Sequence, residues 1–376
     1  MLYLGCNDSD DTKNNNITPQ EFSLKTLSNK HFNSDYLTFD TKTNIRLFLE
    51  NYLKNILYTD RQTRREYWDS IDNDFFNYPD LFMKTFVNQE LLLSSPVHLL
   101  ALQKKDSTRY KAIIGFYNKN NFLIKISTVN VLLKNGKYIL TNTLFDNIAD
   151  FNRITSKIGS EYIISPLSDI ESDFIDKIDS FNLSIATFFD VDPIKYRAIL
   201  TPQNEDYLYV IGFVYSFKHY LDYKTGAITY PSEKLLLIGN SGRASIRHEI
   251  VHLYTNSYDV HPWLNEGICT YFGGSGTKEL DELIVFMSEH LKKDTSLAVD
   301  EYSNFIAMET RYTSVLGAGL IKLALSDYGG KEAVFRLLTS GSTMDDFYQG
   351  IYDVFKVKRT DFDEFIKEKI FNYAKQ

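Results

Sequence analysis

The segment that most constrains this chain is His248-Glu249-Ile250-Val251-His252, which has the pattern HExxH. On a helix, residues i and i+4 are about 400° apart, so the two imidazoles lie one turn apart on the same face. Two imidazoles in that position can bind one Zn²⁺. Glu249 lies about 100° further round the helix, beside the metal, where a general base takes a proton from water. The pattern therefore predicts a helix that carries two zinc ligands and a base.

Two histidines do not complete a zinc site, because a catalytic zinc usually has three protein ligands and one open position. Glu266 is the best candidate for the third ligand, fourteen residues after His252. Pro262 suits the first turn of a new helix, and Gly273-Gly274 suits its end. Two short helices joined by a loop would then direct both histidines and Glu266 at one point.

The alternative interpretation is a buried helix whose histidines are satisfied without a metal. Ile246, Ile250, Val251 and Leu253 do predict a largely buried helix. A buried Glu249 between two histidines is costly without compensation, however, which favours the metal site. Cys269 lies three residues after Glu266 and is read as a small core residue and not as a ligand.

The HExxH segment followed by Trp263-Leu264-Asn265-Glu266-Gly267 resembles the gluzincin zinc peptidases, the clan of thermolysin and aminopeptidase N. It resembles more closely the peptidase-MA-like lipoproteins of Bacteroidetes. The resemblance implies one zinc ion per chain, held by His248, His252 and Glu266, with Glu249 as general base. The spacing between the second histidine and Glu266 is shorter than in the aminopeptidases.

The resemblance also implies a donor to the reacting oxygen from the helical lobe. Tyr312 is that candidate, because it precedes Val315–Leu320, a stretch similar to the helix that carries the donor in the MA-like group. Arg311, Tyr271 and His261 are alternatives. Asn265, beside the third ligand, is a candidate for orienting a backbone or substrate group.

The expected activity is hydrolysis of peptide bonds in a peptide or protein substrate, through a zinc-activated water. Aminopeptidases of the N group use Gly-x-Met-Glu-Asn upstream of HExxH to hold the free amine. This chain has only Ile306–Thr310, downstream and without that Gly or Asn, so an endopeptidase or a peptidase of narrow specificity is favoured. Two alternatives stay open: a non-catalytic surface protein that binds peptides or glycans, and a zinc hydrolase acting on another bond.

The patterns predict an α+β fold with two domains. In residues 23–150, helical patterns precede four predicted strands, Val97–Gln103, Tyr110–Tyr117, Phe122–Leu133 and Tyr138–Leu144. This order predicts helices beside an antiparallel sheet, and it resembles the nuclear-transport-factor-2-like fold. Residues 145–165 are polar and irregular and mark the boundary.

Residues 160–376 are predicted to form the two-lobed gluzincin-like unit, a small sheet with the HExxH helix followed by a helical lobe. The predicted strands are Lys195–Leu200, Tyr207–Phe217, Ala227–Tyr230 and Lys234–Gly239. By resemblance, Lys234–Gly239 is the edge strand that pairs with an extended substrate, and the alternative is an ordinary buried strand.

Composition and the N-terminal segment bear on partners and compartment. The net charge of −8 does not favour a nucleic-acid partner. No run of eighteen apolar residues exists, so no membrane-spanning segment is expected. Leu2–Cys6 resembles the end of a bacterial lipobox, and residues 1–22 read as a flexible tether. The expected location is the cell envelope, where the protein would be an outer-membrane or surface lipoprotein with a lipid anchor at Cys6. The alternative location is the periplasm or the exterior of the cell. The alternative for the segment itself is an ordinary frayed N-terminus.

Overall fold

The computed structural model describes residues 24–26, 37–58, 61–84, 96–118, 120–203, 206–216, 226–239, 243–276, 278–293, 306–307 and 310–375. These residues form helices and mostly antiparallel strands, so the fold class is α+β, as predicted. The predicted tether with Cys6 lies outside the described residues. Within those residues, no helix is both long and apolar enough to cross a membrane.

The secondary structure is numbered here in chain order. Among the described residues, the helices are α1 (Phe39–Tyr58), α2 (Arg61–Arg65), α3 (Ser70–Phe75), α4 (Leu81–Lys84), α5 (Leu144–Asn147), α6 (Phe174–Phe189), α7 (Asp206–Val210), α8 (Arg243–Thr255), α9 (Pro262–Gly273), α10 (Leu280–Lys293), α11 (Tyr312–Asp327), α12 (Lys331–Leu338), α13 (Met344–Phe355) and α14 (Phe362–Tyr373). The strands are β1 (Leu24–Thr26), β2 (Val97–Lys104), β3 (Arg109–Tyr117), β4 (Leu123–Lys134), β5 (Lys137–Thr141), β6 (Asn152–Thr155), β7 (Glu161–Ile164), β8 (Arg197–Leu200), β9 (Phe213–Ser216), β10 (Ala227–Tyr230), β11 (Leu235–Ile238), β12 (Ile306–Ala307) and β13 (Thr310–Arg311).

The chain forms two compact units. The N-terminal unit contains residues 10–151 and also residues 205–224, whereas the C-terminal unit contains residues 152–204 and 225–376. Residues 152–204 of the C-terminal unit therefore lie in the sequence between the two parts of the N-terminal unit. The predicted second domain, residues 160–376, includes residues 205–224, whereas the structure groups them with the N-terminal unit.

The N-terminal unit is a sheet covered by α1. Its strand order is β1-β2-β3-β4-β5, with β9 also paired to β4; among these described strands, β1 and β2 are the one parallel pair. The predicted meander from β2 to β5 is therefore confirmed. Asn135 and Gly136 join β4 to β5 with φ of 53° and 75°, the left-handed backbone that a tight hairpin turn requires. Apolar side chains of α1 pack on the sheet and are fully buried, among them Ile45, Leu49, Tyr52 and Leu53.

The prediction of one strand over Tyr207–Phe217 is wrong. The structure has the short helix α7, a break at Gly212, and then β9. Gly212 has φ of 88°, a conformation that glycine adopts without strain. An added Cβ there would lie 2.6 Å from Thr143 Oγ1 and 2.8 Å from the Thr128 carbonyl oxygen. An apolar run is compatible with either a buried strand or a buried helix, and periodicity alone does not separate them.

The C-terminal unit contains a mixed five-stranded sheet of order β10-β11-β8-β7-β6. Strands β6 and β7 form a hairpin within residues 145–165, so the prediction that this stretch is irregular is wrong. The prediction that Lys234–Gly239 forms the edge strand is also wrong. Strand β11 lies between β10 and β8, and all four of its residues are buried. The alternative, an ordinary buried strand, is correct, and β10 ends the sheet among the described strands.

The helices after the sheet pack into one core, and two of them cross very closely. An added Cβ on Gly317 of α11 would lie 1.9 Å from the Trp263 carbonyl oxygen of α9. One on Gly267 of α9 would lie 2.3 Å from the Gly317 carbonyl carbon. Both glycines are therefore required by the approach of the two backbones, which fixes α9 in position.

Candidate metal centre

The HExxH residues form the middle of α8, as the sequence predicts. The rings of His248 and His252 are 5.0 Å apart between centroids, so both imidazoles lie on one side of the helix. His248 is buried and His252 is half-buried. Both ring systems are thus held by their surroundings before any ligand binds.

Helix α9 brings Glu266 to these rings. Pro262 is its first residue, and the His261 side chain caps it by accepting a hydrogen bond from the Trp263 backbone N–H at 3.3 Å. The helix ends at Gly273, and Gly274 follows with φ of 73°. An added Cβ on Gly273 would lie 2.3 Å from the backbone nitrogen of His248. The end of α9 therefore contacts the backbone of α8 directly.

The Glu266 carboxylate faces both imidazoles. One carboxylate oxygen, Oε2, is 3.3 Å from His248 Nε2, and the other, Oε1, is 3.5 Å from His252 Nε2. These three residues are the predicted ligand set, and the structure brings them together. Two imidazoles and one carboxylate are the donor set that several catalytic zinc sites use.

The distal ring nitrogens have partners on α9 and at its end. His248 Nδ1 donates to the Gly274 carbonyl oxygen at 2.9 Å, which leaves Nε2 as the nitrogen that can bind a metal. His252 Nδ1 is 3.3 Å from the Cys269 sulfur. Neither partner was expected from the sequence, because Gly274 acts through its backbone and Cys269 was read as a core residue.

A polar contact also joins the ends of the two helices. Asn265 Oδ1 accepts a hydrogen bond of 2.6 Å from the hydroxyl of Thr255, the last residue of α8. The same hydroxyl is 3.4 Å from the His252 carbonyl oxygen. Asn265 was predicted to orient a backbone or substrate group, and the structure shows it holding the end of α8 beside a ligand.

The electrostatics of the cluster favour a positive charge between the rings. Burial opposes protonation of His248, but the Glu266 and Glu249 carboxylates and the Gly274 carbonyl together raise the pKa of His248 to about 9. A proton and a divalent cation respond to the same carboxylates. The cluster therefore fits a bound zinc ion as well as it fits a protonated imidazole.

A second donor set shares the two histidines. The ligand atoms of His248, His252 and Cys269 all lie within 4.8 Å of one another. Because His248 Nδ1 is engaged with Gly274, a metal at this histidine must approach Nε2, the side that Glu266 occupies. Cys269 lies on the other side of the His252 ring. Burial, followed by Glu266 and Glu249, raises the pKa of the Cys269 thiol well above its ordinary value. Glu266 as the third donor therefore stays a prediction, and Cys269 contacts His252 through Nδ1.

The carboxylate of Glu249 is held by a strand. The hydroxyl of Thr229 in β10 faces two acceptor oxygens of Glu249: it makes a short contact with Oε2 and lies 3.1 Å from the backbone carbonyl oxygen. Thr229 was missed from the sequence because it lies twenty residues before Glu249 and belongs to no motif. Thr229 reaches Glu249 because β10 lies beside α8 in the folded chain.

The candidates for the oxyanion donor are less closely defined. Tyr312 is the first residue of α11 and is buried, with its ring centroid 5.0 Å from that of His290 in α10. His261 caps α9 and packs on Phe347. Tyr271 packs on Phe272, and the side chain of Arg311 lies outside the described residues. The role of Tyr312 stays a prediction.

Comparisons with known proteins find only distant likenesses, among solved structures. No family model matches the chain, and no curated protein matches it. Among solved structures, a crystal structure of the M1 zinc metallopeptidase from Deinococcus radiodurans matches with a TM-score of 0.31 and 10% sequence identity. The match covers 74% of this chain and 63% of that one, so this chain spans less than two thirds of that protein.

Proposed function

We propose that this protein is a zinc-dependent peptidase. The observation that carries the proposal is the position of Glu266, whose two carboxylate oxygens face the Nε2 atoms of His248 and His252. His248 Nδ1 is turned away by its bond to Gly274, so the ring is already oriented for a metal. A zinc ion held by these three side chains would polarise a carbonyl group and activate a water molecule.

The residues of the chain supply the proton transfers and the binding of the substrate. Glu249, next to the first ligand, takes the proton of the attacking water and passes it to the leaving amine. Strand β10 ends the described sheet beside α8, and it is the strand along which an extended peptide would pair. The predicted strand for this role, β11, lies inside the sheet, so the proposal uses the neighbouring strand β10. Tyr312 is proposed as the donor to the oxyanion.

The substrate and location belong to the same proposal. The absence of a Gly-x-Met-Glu-Asn segment before His248 favours an endopeptidase acting on peptides or proteins. The lipobox-like Leu2–Cys6 supports a lipid-anchored protein of the cell envelope. The net charge of −8 supports a partner other than nucleic acid.

The test measures bound metal and peptide cleavage in the same preparations. Glu249→Gln should keep about one zinc per chain, because Glu249 is a base and not a ligand. Its cleavage rate should fall by roughly 10²- to 10⁴-fold, the usual contribution of a general base. Glu332→Gln, an exposed glutamate of α12, makes the same chemical change away from the site and should match wild type in both measurements.

Two outcomes would contradict the proposal. Wild-type protein that binds zinc but cleaves no member of a broad peptide library would favour the binding protein or a hydrolase of another bond. Protein that binds no zinc, when refolded or dialysed with an excess of the metal, would remove the metal site itself.

A further inference from the structure

The contact between Thr229 and Glu249 assigns different tasks to the two oxygens of the Glu249 carboxylate. Thr229 lies in β10 opposite Leu236 of β11, and its side chain is buried. Its hydroxyl contacts Oε2 of Glu249 and the backbone carbonyl oxygen of the same residue. Because the hydroxyl has one proton and its contact with Oε2 is the shorter of the two, Oε2 is the acceptor on which the inference rests.

A glutamate needs such support to act as a base. Its side chain has several rotatable bonds, and a base must present one oxygen within hydrogen-bond distance of the proton it takes. Glu249 is only half-buried. Threonine, by contrast, is restricted at its first side-chain torsion because it is branched at Cβ. A buried threonine on a paired strand is therefore a rigid donor beside a side chain that would otherwise rotate.

We infer that Thr229 is a positioning residue that holds Oε2 of Glu249, so that Oε1 is the oxygen that accepts the proton of water. The inference rests on the proposed function. No bond to Thr229 forms or breaks in this step: the proton moves from water to Oε1, and later from Oε1 to the leaving amine. Thr229 keeps its own proton throughout.

The same contact has a purely structural interpretation, in which Thr229 only braces α8 through the Glu249 carbonyl. The two interpretations differ in what the side chain of Glu249 does when the hydroxyl is removed. Thr229→Val keeps the shape of the side chain and removes the hydroxyl, whereas Thr229→Ser keeps the hydroxyl and removes a methyl group. This pair of variants separates positioning from packing.

We expect Thr229→Val to lower kcat on the order of 10- to 100-fold, the effect of losing a hydrogen bond to a charged group. KM and zinc content should stay at wild-type values, and Thr229→Ser should restore most of kcat. In the Glu249→Gln background, Thr229→Val should cause no further loss of rate, because Thr229 acts through the carboxylate that this background lacks.

A second readout does not depend on activity. Crystal structures of the zinc-loaded wild type and Thr229→Val should show the Glu249 carboxylate displaced or spread over several positions in the variant, with His248 and His252 unchanged. A carboxylate that keeps its place in Thr229→Val, or a variant with wild-type kcat, would overturn the inference. Wild type that binds zinc and cleaves nothing would remove the proposed function, and the pair of crystal structures would still decide whether Thr229 holds Glu249.

Discussion

Each imidazole of the centre uses both of its nitrogens, and the residues on the two sides have different tasks. The Nε2 atoms of His248 and His252 face Glu266, while their Nδ1 atoms contact Gly274 and Cys269. A histidine that binds metal usually donates its other N–H to an acceptor, which fixes the orientation of the ring. Cys269 is a weaker acceptor than the carboxylate or carbonyl usually found in that place.

Substitutions of Glu266 and Cys269 separate the two possible ligand sets. We expect Glu266→Ala to lose stoichiometric zinc, because a ligand is removed. Cys269→Ala should keep one zinc per chain and lose roughly 10- to 100-fold in affinity, the usual effect of removing a partner behind a ligand. Zinc content after dialysis and affinity against a competing chelator measure both. Zinc lost in Cys269→Ala and kept in Glu266→Ala would show that the thiolate is the ligand.

His261 predicts a pH dependence of stability that is independent of the metal. Burial lowers the pKa of His261 to about 4, against a smaller opposite effect of Asp346. The unfolded chain, with an ordinary histidine pKa near 6.5, therefore binds a proton more readily than the folded protein between those two values. This contribution to stability is complete above about pH 6.5 and is lost as the pH falls towards 4.

The measurement is urea unfolding of the metal-free protein at pH 7 and pH 5. Wild type should lose about 2 kcal/mol more between these pH values than His261→Asn, since asparagine also caps a helix but does not titrate. An equal loss in both proteins would show that His261 is not held neutral by its surroundings.

At the scale of elements, the centre depends on how closely helices approach α9. Its first turn meets α11 at Gly317, and its last residue meets the backbone of His248. The position of Glu266 relative to the histidines is therefore set by contacts of the main chain, which deform less than contacts of side chains.

Two glycines of α11 provide a matched test. We expect Gly317→Ala to destabilise the protein by about 1–3 kcal/mol, because its Cβ would lie 1.9 Å from the Trp263 carbonyl oxygen. Gly319→Ala, two residues on, meets nothing within 4 Å and should be neutral or stabilise by about 0.5–1 kcal/mol, as alanine does in a helix. Unfolding in urea compares the two. Equal stability of both variants would contradict the close crossing.

The sequence predicted the parts of the centre that are local in the chain. The two histidines of HExxH lie one helical turn apart. In α9, the proline at the start lies about one turn before Glu266, and the glycines at the end lie about two turns after it. The order of strands is not local. Nothing in Leu235–Ile238 shows whether one or two strands flank it, so the sequence alone does not separate an edge strand from an inner one. For the same reason Thr229, which touches Glu249 only through that order, was not found.

At the scale of the whole chain, residues 205–224 belong to a unit whose other residues end at 151. Strand β9 pairs with the first part of β4, from Lys125 to Ser127, while β5 pairs with the last part. Phe213 is buried within this unit. We therefore expect residues 206–216 to unfold together with the N-terminal unit, so that their protection from exchange falls when that unit is destabilised.

Hydrogen exchange of the native protein tests this coupling with two equal substitutions. Val131→Ala in β4 and Val334→Ala in α12 each remove two methyl groups from a fully buried side chain, which should lower the free energy of unfolding by on the order of 2 kcal/mol. We expect the amides of residues 206–216 to lose protection in Val131→Ala and to keep it in Val334→Ala. Protection that is lost in Val334→Ala and kept in Val131→Ala would show that residues 206–216 unfold together with the unit that contains the metal centre.

The return of the chain at β9 also orders events during synthesis on the ribosome. Strand β4 emerges early but gains one of its partners only after β6, β7 and β8 have followed. Until then, the backbone groups of Lys125–Ser127 on that side have no β9 to pair with, and an unpaired strand edge can join another chain. The nascent protein thus carries an open edge while the first strands of the second unit are being made, and chaperones that bind extended segments would be most useful to it during that interval.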